Sequence, residues 1–525
     1  MIESNIKTPG VYINEVNAFP NPVVPVPTSV PAFIGYTPQA TYEGKPYTNK
    51  PYRISSFADF QAIFCYPDPA LPADPAKQYN PQYYLEVAES KPATGDYVEI
   101  DGSFYTISPD PNTIYYLYNS IRLFYDNGGQ EAYIVSVGSY GTTSGKPMSP
   151  SDQVVNQNVK LNELKKGFEV LKRESEPTMY ICPEATLLSV ANNSTLMQLM
   201  LTQCEEMETA ISIFDVVGGR NPHPIDYTND IETFRDNTGS QGLKYGAAYY
   251  PFIGTTVMQS GHLDYTNLFG GDIKQLAPLL SPADNPNNTV ESIIKDIENP
   301  SGTPLTVSQY NSSLLVASPT YSTIMKHVLA DVNILPSSGG MAGVITTVDN
   351  QSGPWQSPAN RSIIGAVSLP IRISDEQQQD LNVDAVSGKS INAIRFFNGQ
   401  GILVWGARTL DGNSMDWRYI SVRRTITFLE QSCAVAARVY IFQANDANTW
   451  ESIKSMISSF LNTIWQEGGL QGASAADAYS VACGLGTTMT PEDILNGFMK
   501  VTIKVAVSRP AEYMVITLEQ EMAKS

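Results

Sequence analysis

Charged residues are scarce in this sequence, and basic residues are scarcer than acidic ones. Of 525 residues, 16% are charged, with 33 Lys and Arg against 52 Asp and Glu, so the formal net charge is −19. A nucleic-acid-binding surface needs excess positive charge to neutralise phosphates. The excess of acidic residues in this sequence therefore excludes nucleic acid as a partner. A weakly charged surface costs less to desolvate, which favours extensive contact between copies of the chain. The alternative interpretation is a monomeric protein with a weakly charged surface.

Histidine and cysteine are too few and too scattered to predict a metal site. The three histidines lie far apart without His-x-x-x-His spacing, and the five cysteines have no Cys-x-x-Cys spacing. We therefore expect the cysteines to be buried apolar residues in a reducing compartment. They are Cys65, Cys182, Cys204, Cys433 and Cys483.

Glycine-rich phosphate loops are also missing. The stretch from Gly141 to Lys146 lacks the glycine that a Walker-type loop has five residues before Gly145, because residue 140 is Tyr. Gly399 and Gly401 lack the third glycine of a dinucleotide fingerprint. No Ser or Cys has an evident base near it in sequence. We expect no cofactor, no metal and no enzymatic activity.

Long hydrophobic runs are missing as well. No apolar run reaches the ~18 residues that a membrane span requires. The N-terminus lacks the basic region and apolar stretch of a secretory signal. We therefore expect assembly in a cytoplasm and no direct membrane insertion.

Both ends of the chain carry strand signals, although termini are normally disordered unless something ties them down. Residues 8–16 are β-branched and aromatic, residues 511–522 alternate with period 2, and prolines separate each run from the body. A lone strand on a stiff arm can pair with a sheet edge in another subunit, or with its own sheet. The strand-forming residues are Val11, Tyr12, Ile13 and Val16 in the N-terminal arm, and Tyr513, Met514, Val515, Ile516 and Leu518 in the C-terminal arm.

The body of the chain predicts mixed α/β structure. Helical spacing over 161–171 and 196–207 alternates with apolar strand patterns at 178–183, 210–217 and 247–253, which predicts helices packed on a sheet. Residues 261–345 are rich in Asn, Ser, Pro and Gly and give no clear order of elements. Residues 422–442 are predicted as one long helix. A second begins with Asn448 as its cap and ends at Gly468.

Motifs spread along the chain, in a fixed order, resemble those of contractile phage tail sheath proteins. Segments 41–110 and roughly 254–330 depart from that pattern and are predicted to be insertions. The matching motifs are Thr8-Pro9-Gly10-Val11-Tyr12-Ile13, Ser55-Ser56-Phe57-Ala58-Asp59-Phe60, Ile121-Arg122-Leu123-Phe124-Tyr125-Asp126-Asn127-Gly128-Gly129, Trp355-Gln356-Ser357-Pro358-Ala359-Asn360, Val404-Trp405-Gly406-Ala407-Arg408-Thr409-Leu410, Trp417-Arg418-Tyr419-Ile420-Ser421-Val422-Arg423-Arg424 and Arg509-Pro510-Ala511-Glu512-Tyr513.

The resemblance implies a multidomain subunit of mixed α/β (α+β) fold, with a C-terminal α/β polymerisation domain and extended terminal β-arms. The expected divisions are an N-terminal arm (1–30), an N-terminal part of the body with an insertion (31–110), a central α/β domain (111–253), an inserted variable outer region (254–345), a tube-proximal C-terminal domain (346–510) and a C-terminal arm strand (511–525).

The same resemblance implies a structural role. The chain would polymerise helically around an inner tube in a metastable extended state and contract to drive the tube through a target envelope. Implied partners are further copies of the chain or sheath isoforms, the inner tube protein, and baseplate and terminator or cap proteins. The implied location is a phage tail or an injection particle.

Two sets of C-terminal residues are candidates for interfaces. On the helix after Asn448, the polar face with Lys454, Ser458 and Asn462 is the candidate surface toward the inner tube, while core packing explains the opposite, apolar stripe. Arginines are locally enriched and can pair with carboxylates, mostly within the chain. The ion-pairing candidates are Arg408, Arg418, Arg423, Arg424, Arg509 and Glu512.

Two alternatives remain open at this stage. One is a non-contractile capsid or surface-layer protein that exchanges arms. The other is a carbohydrate-acting module, in view of 29 tyrosines and the acidic balance.

Overall fold

A computed structural model describes residues 22–66, 78–92, 97–150, 152–300 and 302–515. These residues divide into two compact units. The core unit contains the described residues between Pro27 and Arg424, and the C-terminal unit contains residues 22–26 and 425–515.

Strands and helices alternate along most of the chain, as the sequence predicts. The strands are β1 (Pro31–Thr37), β2 (Thr41–Tyr42), β3 (Lys45–Pro46), β4 (Tyr52–Ile54), β5 (Tyr83–Ala88), β6 (Tyr97–Ile100), β7 (Ser103–Pro109), β8 (Ala132–Ser139), β9 (Met179–Ile181), β10 (Ile211–Asp215), β11 (Gly246–Tyr250), β12 (Ile253–Thr255), β13 (Ile334–Leu335), β14 (Ala366–Ser368), β15 (Asn392–Phe397), β16 (Gly401–Val404), β17 (Tyr479–Cys483) and β18 (Val501–Val505). The helices are α1 (Phe57–Phe64), α2 (Leu117–Asp126), α3 (Leu161–Leu171), α4 (Val190–Met207), α5 (Thr228–Asn237), α6 (Ile273–Leu280), α7 (Asn288–Glu298), α8 (Val307–Ala317), α9 (Pro319–Val332), α10 (Ser338–Ser352), α11 (Asp375–Asn382), α12 (Ile420–Ala437), α13 (Ala447–Gln466), α14 (Ala475–Ala478) and α15 (Pro491–Leu495).

An eight-stranded sheet organises the core unit, in the order β16-β15-β11-β10-β9-β1-β8-β4. The six inner strands are parallel, and the two edge strands β16 and β4 run antiparallel to their neighbours. All residues of β1, β9 and β10 are buried, which is typical of parallel strands covered by helices on both faces. The predicted mixed α/β fold is therefore confirmed.

Glycines in α10 allow it to approach α2 closely. A Cβ atom at Gly339 would lie 2.5 Å from the Ser120 carbonyl oxygen, and one at Gly343 would lie 2.6 Å from that of Phe124. No side chain fits at those distances, so both positions require glycine. Gly339 and Gly343 are four residues apart, and this Gly-x-x-x-Gly spacing is a sequence signal for close helix packing.

The two segments predicted as insertions contact each other. The three-stranded sheet β5-β7-β6 comes from the first segment, and α6–α9 come from the second. Asn267 donates to the Asn80 side chain and to the Pro81 carbonyl, both at 2.8 Å, and the Tyr84 and Phe269 rings lie 5.9 Å apart. Residues 261–345, whose order the sequence left open, are thus mainly helical.

Two predicted helix ends need correction. The helix predicted over 422–442 ends at Ala437 and is followed by a 3-10 turn at Arg438–Tyr440, and Phe442 has a φ of 69°, which helical residues do not adopt. The next helix is capped by Asp446 rather than Asn448, because the Asp446 carboxylate accepts a 3.0 Å hydrogen bond from the Thr449 amide.

Glu184 gives the core unit a titratable group with a predictable effect on stability. It follows β9, is fully buried, and accepts a 2.8 Å hydrogen bond from the Leu117 amide at the start of α2. Burial raises its pKa from 4.5 to about 8. The pKa of Glu184 is higher in the folded state than in the unfolded state. The protonated side chain therefore contributes to stability below the unfolded pKa, and this contribution is lost as the pH rises toward 8.

We therefore expect Glu184→Gln to flatten the pH dependence of stability. Between pH 5 and pH 8, wild type should lose free energy of unfolding relative to the variant, by up to about 1.4 kcal/mol per pH unit. Urea unfolding at several pH values measures this difference. The exposed Glu205→Gln variant is the control, and parallel pH profiles for wild type and Glu184→Gln would contradict the expectation.

Candidate assembly surface

Helix α13 is the central element of the C-terminal unit. Its apolar stripe is buried, and the Phe460 ring packs edge-on against Phe428 of α12 with centroids 5.9 Å apart. The helix ends at Gly468, whose φ is 88°, and the Gly469 amide donates to the Ile464 carbonyl at 2.9 Å. These are the glycine and the hydrogen bond expected at a helix C-terminus. The buried residues of the stripe are Ile453, Met456, Ile457, Phe460, Leu461 and Ile464.

A two-stranded antiparallel sheet, β17-β18, packs on α13. Tyr479, Val481 and Cys483 pair with Val505, Ile503 and Val501, which places these six side chains on one face. Cys483 on this face is buried, whereas Ile503 on β18 keeps 36% of its surface exposed. The apolar face is thus incompletely covered on the β18 side.

Both outer edges of this small sheet lack a further strand among the described residues. The edge of a sheet presents a row of backbone N–H and C=O groups with which another strand can pair. A two-stranded sheet alone is marginally stable, and additional strands stabilise it. The outer edges of β17 and β18 are therefore candidate sites for further strands.

The last described residues of the chain, 513–515, are exposed. Tyr513, Met514 and Val515 are 69%, 82% and 90% exposed, and they are not part of a strand in this chain. The other arm residues lie outside the described residues: Ile516 and Leu518 in the C-terminal arm, and Val11, Tyr12, Ile13 and Val16 in the N-terminal arm.

The three tube-facing candidates lie at the border of the buried stripe of α13. Lys454, Ser458 and Asn462 are half-buried. The Lys454 ammonium is 2.8 Å from the Glu451 carboxylate one turn earlier. The exposed stripe of the same helix contains Glu451, Ser455, Ser459, Thr463 and Gln466.

The ion-pairing candidates occupy different environments. Arg424 forms a bidentate ion pair with Asp349 in the core unit, where both side chains are almost fully buried. Arg423 packs its guanidinium over the Trp417 ring, with the Cζ atom 4.4 Å from the centroid. Sequence analysis missed Asp349, because it lies 75 residues from Arg424.

The remaining candidates bind backbone groups or lie near the surface. Buried Arg408 donates to the Asn382 carbonyl at 3.3 Å, and Arg418 donates to the Ser414 carbonyl at 3.2 Å. In the C-terminal unit, Arg509 is exposed and Glu512 is half-buried.

The loop that superficially resembles a phosphate loop is held by a buried carboxylate. Asp110 accepts hydrogen bonds from the amides of Ser144 and Gly145 at 2.8 and 3.0 Å, and from the Ser144 hydroxyl at 2.8 Å. These amides therefore face an internal anion.

Cysteine and metal chemistry can be compared with the sequence predictions. All five cysteines are buried and unpaired, as predicted, and burial raises the pKa of Cys204 to about 12. The described residues bring no three His, Cys, Asp or Glu side chains together in a group that could hold a metal ion. Among the same residues, no helix is both long and apolar enough to cross a membrane.

Known proteins resemble the chain both locally and over nearly its full length. Residues 413–521 match the model of the phage tail sheath C-terminal domain. The tail sheath protein of Vibrio phage KVP40 is 33% identical over 138 residues, which are 26% of this chain and 20% of that protein. The tail sheath protein of Enterobacteria phage T4 is 26% identical over 190 residues, 35% of this chain and 27% of that protein. The matches thus span about a quarter of these relatives.

Solved structures share the fold over nearly the whole chain. The contracted helical sheath of the anti-feeding prophage matches 98% of this chain and 100% of its own, with a TM-score of 0.57 and 22% identity. The contracted PVC sheath, from an extracellular contractile injection system, matches with the same TM-score of 0.57, 22% identity and 98% coverage of both chains. The anti-feeding prophage baseplate in its contracted state contains a chain that matches with a TM-score of 0.60 and 21% identity, covering 99% of this chain and 100% of that one.

Proposed function

We propose that this chain is a member of the phage tail sheath family and the structural subunit of a contractile sheath. It polymerises helically around an inner tube in a metastable extended state, and contraction drives the tube through a target envelope. The observation that carries the proposal is the two-stranded sheet β17-β18, which lies within the matched region 413–521. Neither of its outer edges pairs with a further strand in the part of the chain that the structure describes, and each edge can receive one strand from a neighbour.

The two arms are the strands that we assign to those edges. Backbone pairing gives each subunit directional links to its neighbours, and the extended arms can hinge without breaking those links. The arms carry Val11, Tyr12, Ile13 and Val16 at one end, and Tyr513, Met514, Val515, Ile516 and Leu518 at the other.

Stored free energy in such a polymer is a property of the assembly. Contraction lets subunits rotate and gain contacts, so the transition uses two packings of the same chain. No bound nucleotide has to be hydrolysed for this, which agrees with a structural rather than enzymatic role. The proposed partners are further copies or isoforms of the chain, an inner tube protein, a baseplate and a terminator or cap protein, in a phage tail or an injection particle.

Electron microscopy of the purified chain tests the proposal. Negatively stained samples should contain hollow tubes of uniform diameter. Closed shells would support an arm-exchanging capsid protein instead, and discrete small particles at all concentrations would overturn the proposal.

The two inserted segments should lie on the outer surface of the polymer. Residues 41–110 and 254–330 depart from the family pattern, and additions to a packed polymer are tolerated where they face solvent. Limited proteolysis of intact tubes, followed by mass spectrometry, should give first cuts within these segments. Cuts confined to residues 346–510, with both segments protected, would contradict the assignment.

The tube contact should be modest and polar, because the inner tube has to be released on contraction. We assign it to α13, with Lys454, Ser458 and Asn462 at the border of the contact. Lys454→Glu removes the ion pair to Glu451 and reverses a charge, so we expect fewer extended, tube-filled sheaths and unchanged contracted ones. Particle counts by electron microscopy measure both forms.

A matched control separates the tube contact from the loss of an ion pair. Lys500→Glu also breaks an ion pair in the C-terminal unit, to Asp493 at 2.6 Å, but does not lie on α13. Wild-type yield of extended sheaths with Lys454→Glu, or equal losses with both variants, would count against a contact through α13.

A further inference from the structure

A cavity of about 250 Å³ lies at the carboxyl ends of neighbouring parallel strands in the core unit. Thr186 follows β9, Gly218 and Arg220 follow β10, and Phe252 follows β11, and all four residues line the cavity. Open α/β sheets bind their ligands in the crevice outside the carboxyl ends of their strands. The assembly role proposed above does not use this cavity.

Arg220 is the one arginine among the described residues that line the cavity, and an ion pair already neutralises it. The Arg220 guanidinium lies 2.6 Å from the Asp331 carboxylate and donates to the Ile334 carbonyl at 3.0 Å and the Tyr116 hydroxyl at 3.4 Å. The Tyr83 hydroxyl donates to the same carboxylate at 2.7 Å. Arg220 is therefore not available as an anion-binding group.

A second carboxylate, Asp230 on α5, also lines the cavity and forms no ion pair with a described residue. A Cβ atom at Gly218 would lie 2.4 Å from the Asp230 carboxyl carbon, so only glycine leaves space beside this carboxylate. Burial raises the pKa of Asp230 to about 6, and the neighbouring Tyr250 hydroxyl opposes the shift. At pH 8 the carboxylate is ionised.

Aromatic and apolar side chains complete the wall. The Tyr116 and Phe252 rings lie 5.9 Å apart in an edge-to-face arrangement, and Ile107 and Met148 also line the cavity. Aromatic faces attract cations, and apolar side chains pack against alkyl chains. A carboxylate without a basic partner, beside two rings and apolar contacts, is suited to an organic cation.

We propose that this cavity binds an alkylammonium or alkylguanidinium group, with Asp230 as its counter-ion and the Tyr116 and Phe252 rings against the cation. The group belongs either to a free small molecule or to a lysine or arginine side chain of another protein. This proposal is independent of the contractile function, because it rests on the core unit alone.

Calorimetric titration with n-butylammonium and n-butylguanidinium at pH 8 tests the proposal. The full-length chain should bind at least one of them saturably, and at least tenfold more tightly than n-butanol or butyrate. Asp230→Asn should weaken that binding at least tenfold. Asp226→Asn, which alters an exposed carboxylate before α5, should leave it unchanged.

The controls make each outcome decisive. Circular dichroism and thermal unfolding establish that Asp230→Asn is folded, and Phe252→Leu provides a second variant that should weaken binding without altering the charge. Lack of binding by both cations, equal binding of n-butanol, or unchanged affinity in Asp230→Asn would overturn the proposal.

Two further measurements distinguish the sources of the cation. Carbodiimide treatment of assembled particles should join Asp230 to a lysine if the cation is a lysine side chain; an arginine side chain, which carbodiimide does not couple, should instead protect Asp230 from modification by an added small amine. Mass spectrometry of small molecules extracted from purified chain should instead recover an amine from wild type, and not from Asp230→Asn, if the ligand is free.

Discussion

A chain that ends at Pro510 is expected to fold and to form no tubes. The truncation removes Met514 and Val515, which are exposed here, together with the rest of the alternating run to residue 522. Their loss leaves one edge of β17-β18 unpaired in every subunit, and an edge without its strand cannot link neighbours. Removing residues 1–19 should have the same effect through the other edge. Electron microscopy at matched concentrations measures tube number and length.

Point variants of the same length separate pairing from mere loss of residues. Ile516→Pro removes a backbone N–H and should abolish tubes, whereas Ile516→Val keeps the donor and the strand propensity and should preserve them. If the arm paired with its own subunit, truncation would instead lower the thermal stability of the monomer and leave tube formation intact. Normal tubes from either truncated chain would refute strand exchange through that arm.

Short-range apolar patterns in the sequence predicted those helices and strands that bury one face against the core. The apolar spacing over 161–171 gave the bounds of α3, and the short buried runs gave β9, β10 and β11, because periodicity reports which side of an element faces the core. The C-terminal helix followed from its apolar stripe. Its start was misplaced by two residues because Asp446 and Asn448 are both good caps, and only hydrogen bonding distinguishes them.

The helices α6–α9 were not predicted, because their composition resembles that of loops. Their caps were nevertheless visible in the sequence: Asp272, Asn287, Thr306 and Ser318 each accept a hydrogen bond from an amide in the first turn of the helix that follows. The packing of α9 against β6 and β7 joins segments more than 200 residues apart, and neither periodicity nor capping carries that information.

The candidate assembly surface was also predictable only in part from the sequence. The apolar stripe of α13 was evident, but the exposure of its polar face depends on where β17 packs, so Lys454, Ser458 and Asn462 are only half-exposed. Likewise, an arginine-rich stretch predicts ion pairs without naming partners. Carboxylates close to Arg424 in the sequence were the expected ion-pair partners, yet its partner is Asp349 on α10.

Replacing Arg424 should cause the largest loss of stability of any single substitution considered for the core unit. The Asp349 side chain is 1% exposed, so Arg424→Met leaves a buried carboxylate without its counter-ion. The same guanidinium donates to the Thr28 carbonyl at 2.9 Å, which loses its partner as well. Breaking a buried pair in this way costs about 3–5 kcal/mol. Urea unfolding of dilute full-length chain, followed by tryptophan fluorescence, measures the loss.

Comparison variants show whether burial and geometry cause that loss. Arg53→Met breaks an ion pair of the same chemistry to Glu131, but both side chains are over 40% exposed, so it should cost at most about 1 kcal/mol. Arg424→Lys keeps the charge and loses the two-pronged contact, so it should fall between wild type and Arg424→Met. Arg424→Met with Asp349→Leu removes the unpaired carboxylate and should recover part of the stability. Equal costs for Arg53→Met and Arg424→Met would mean that the buried pair contributes no more than a surface one.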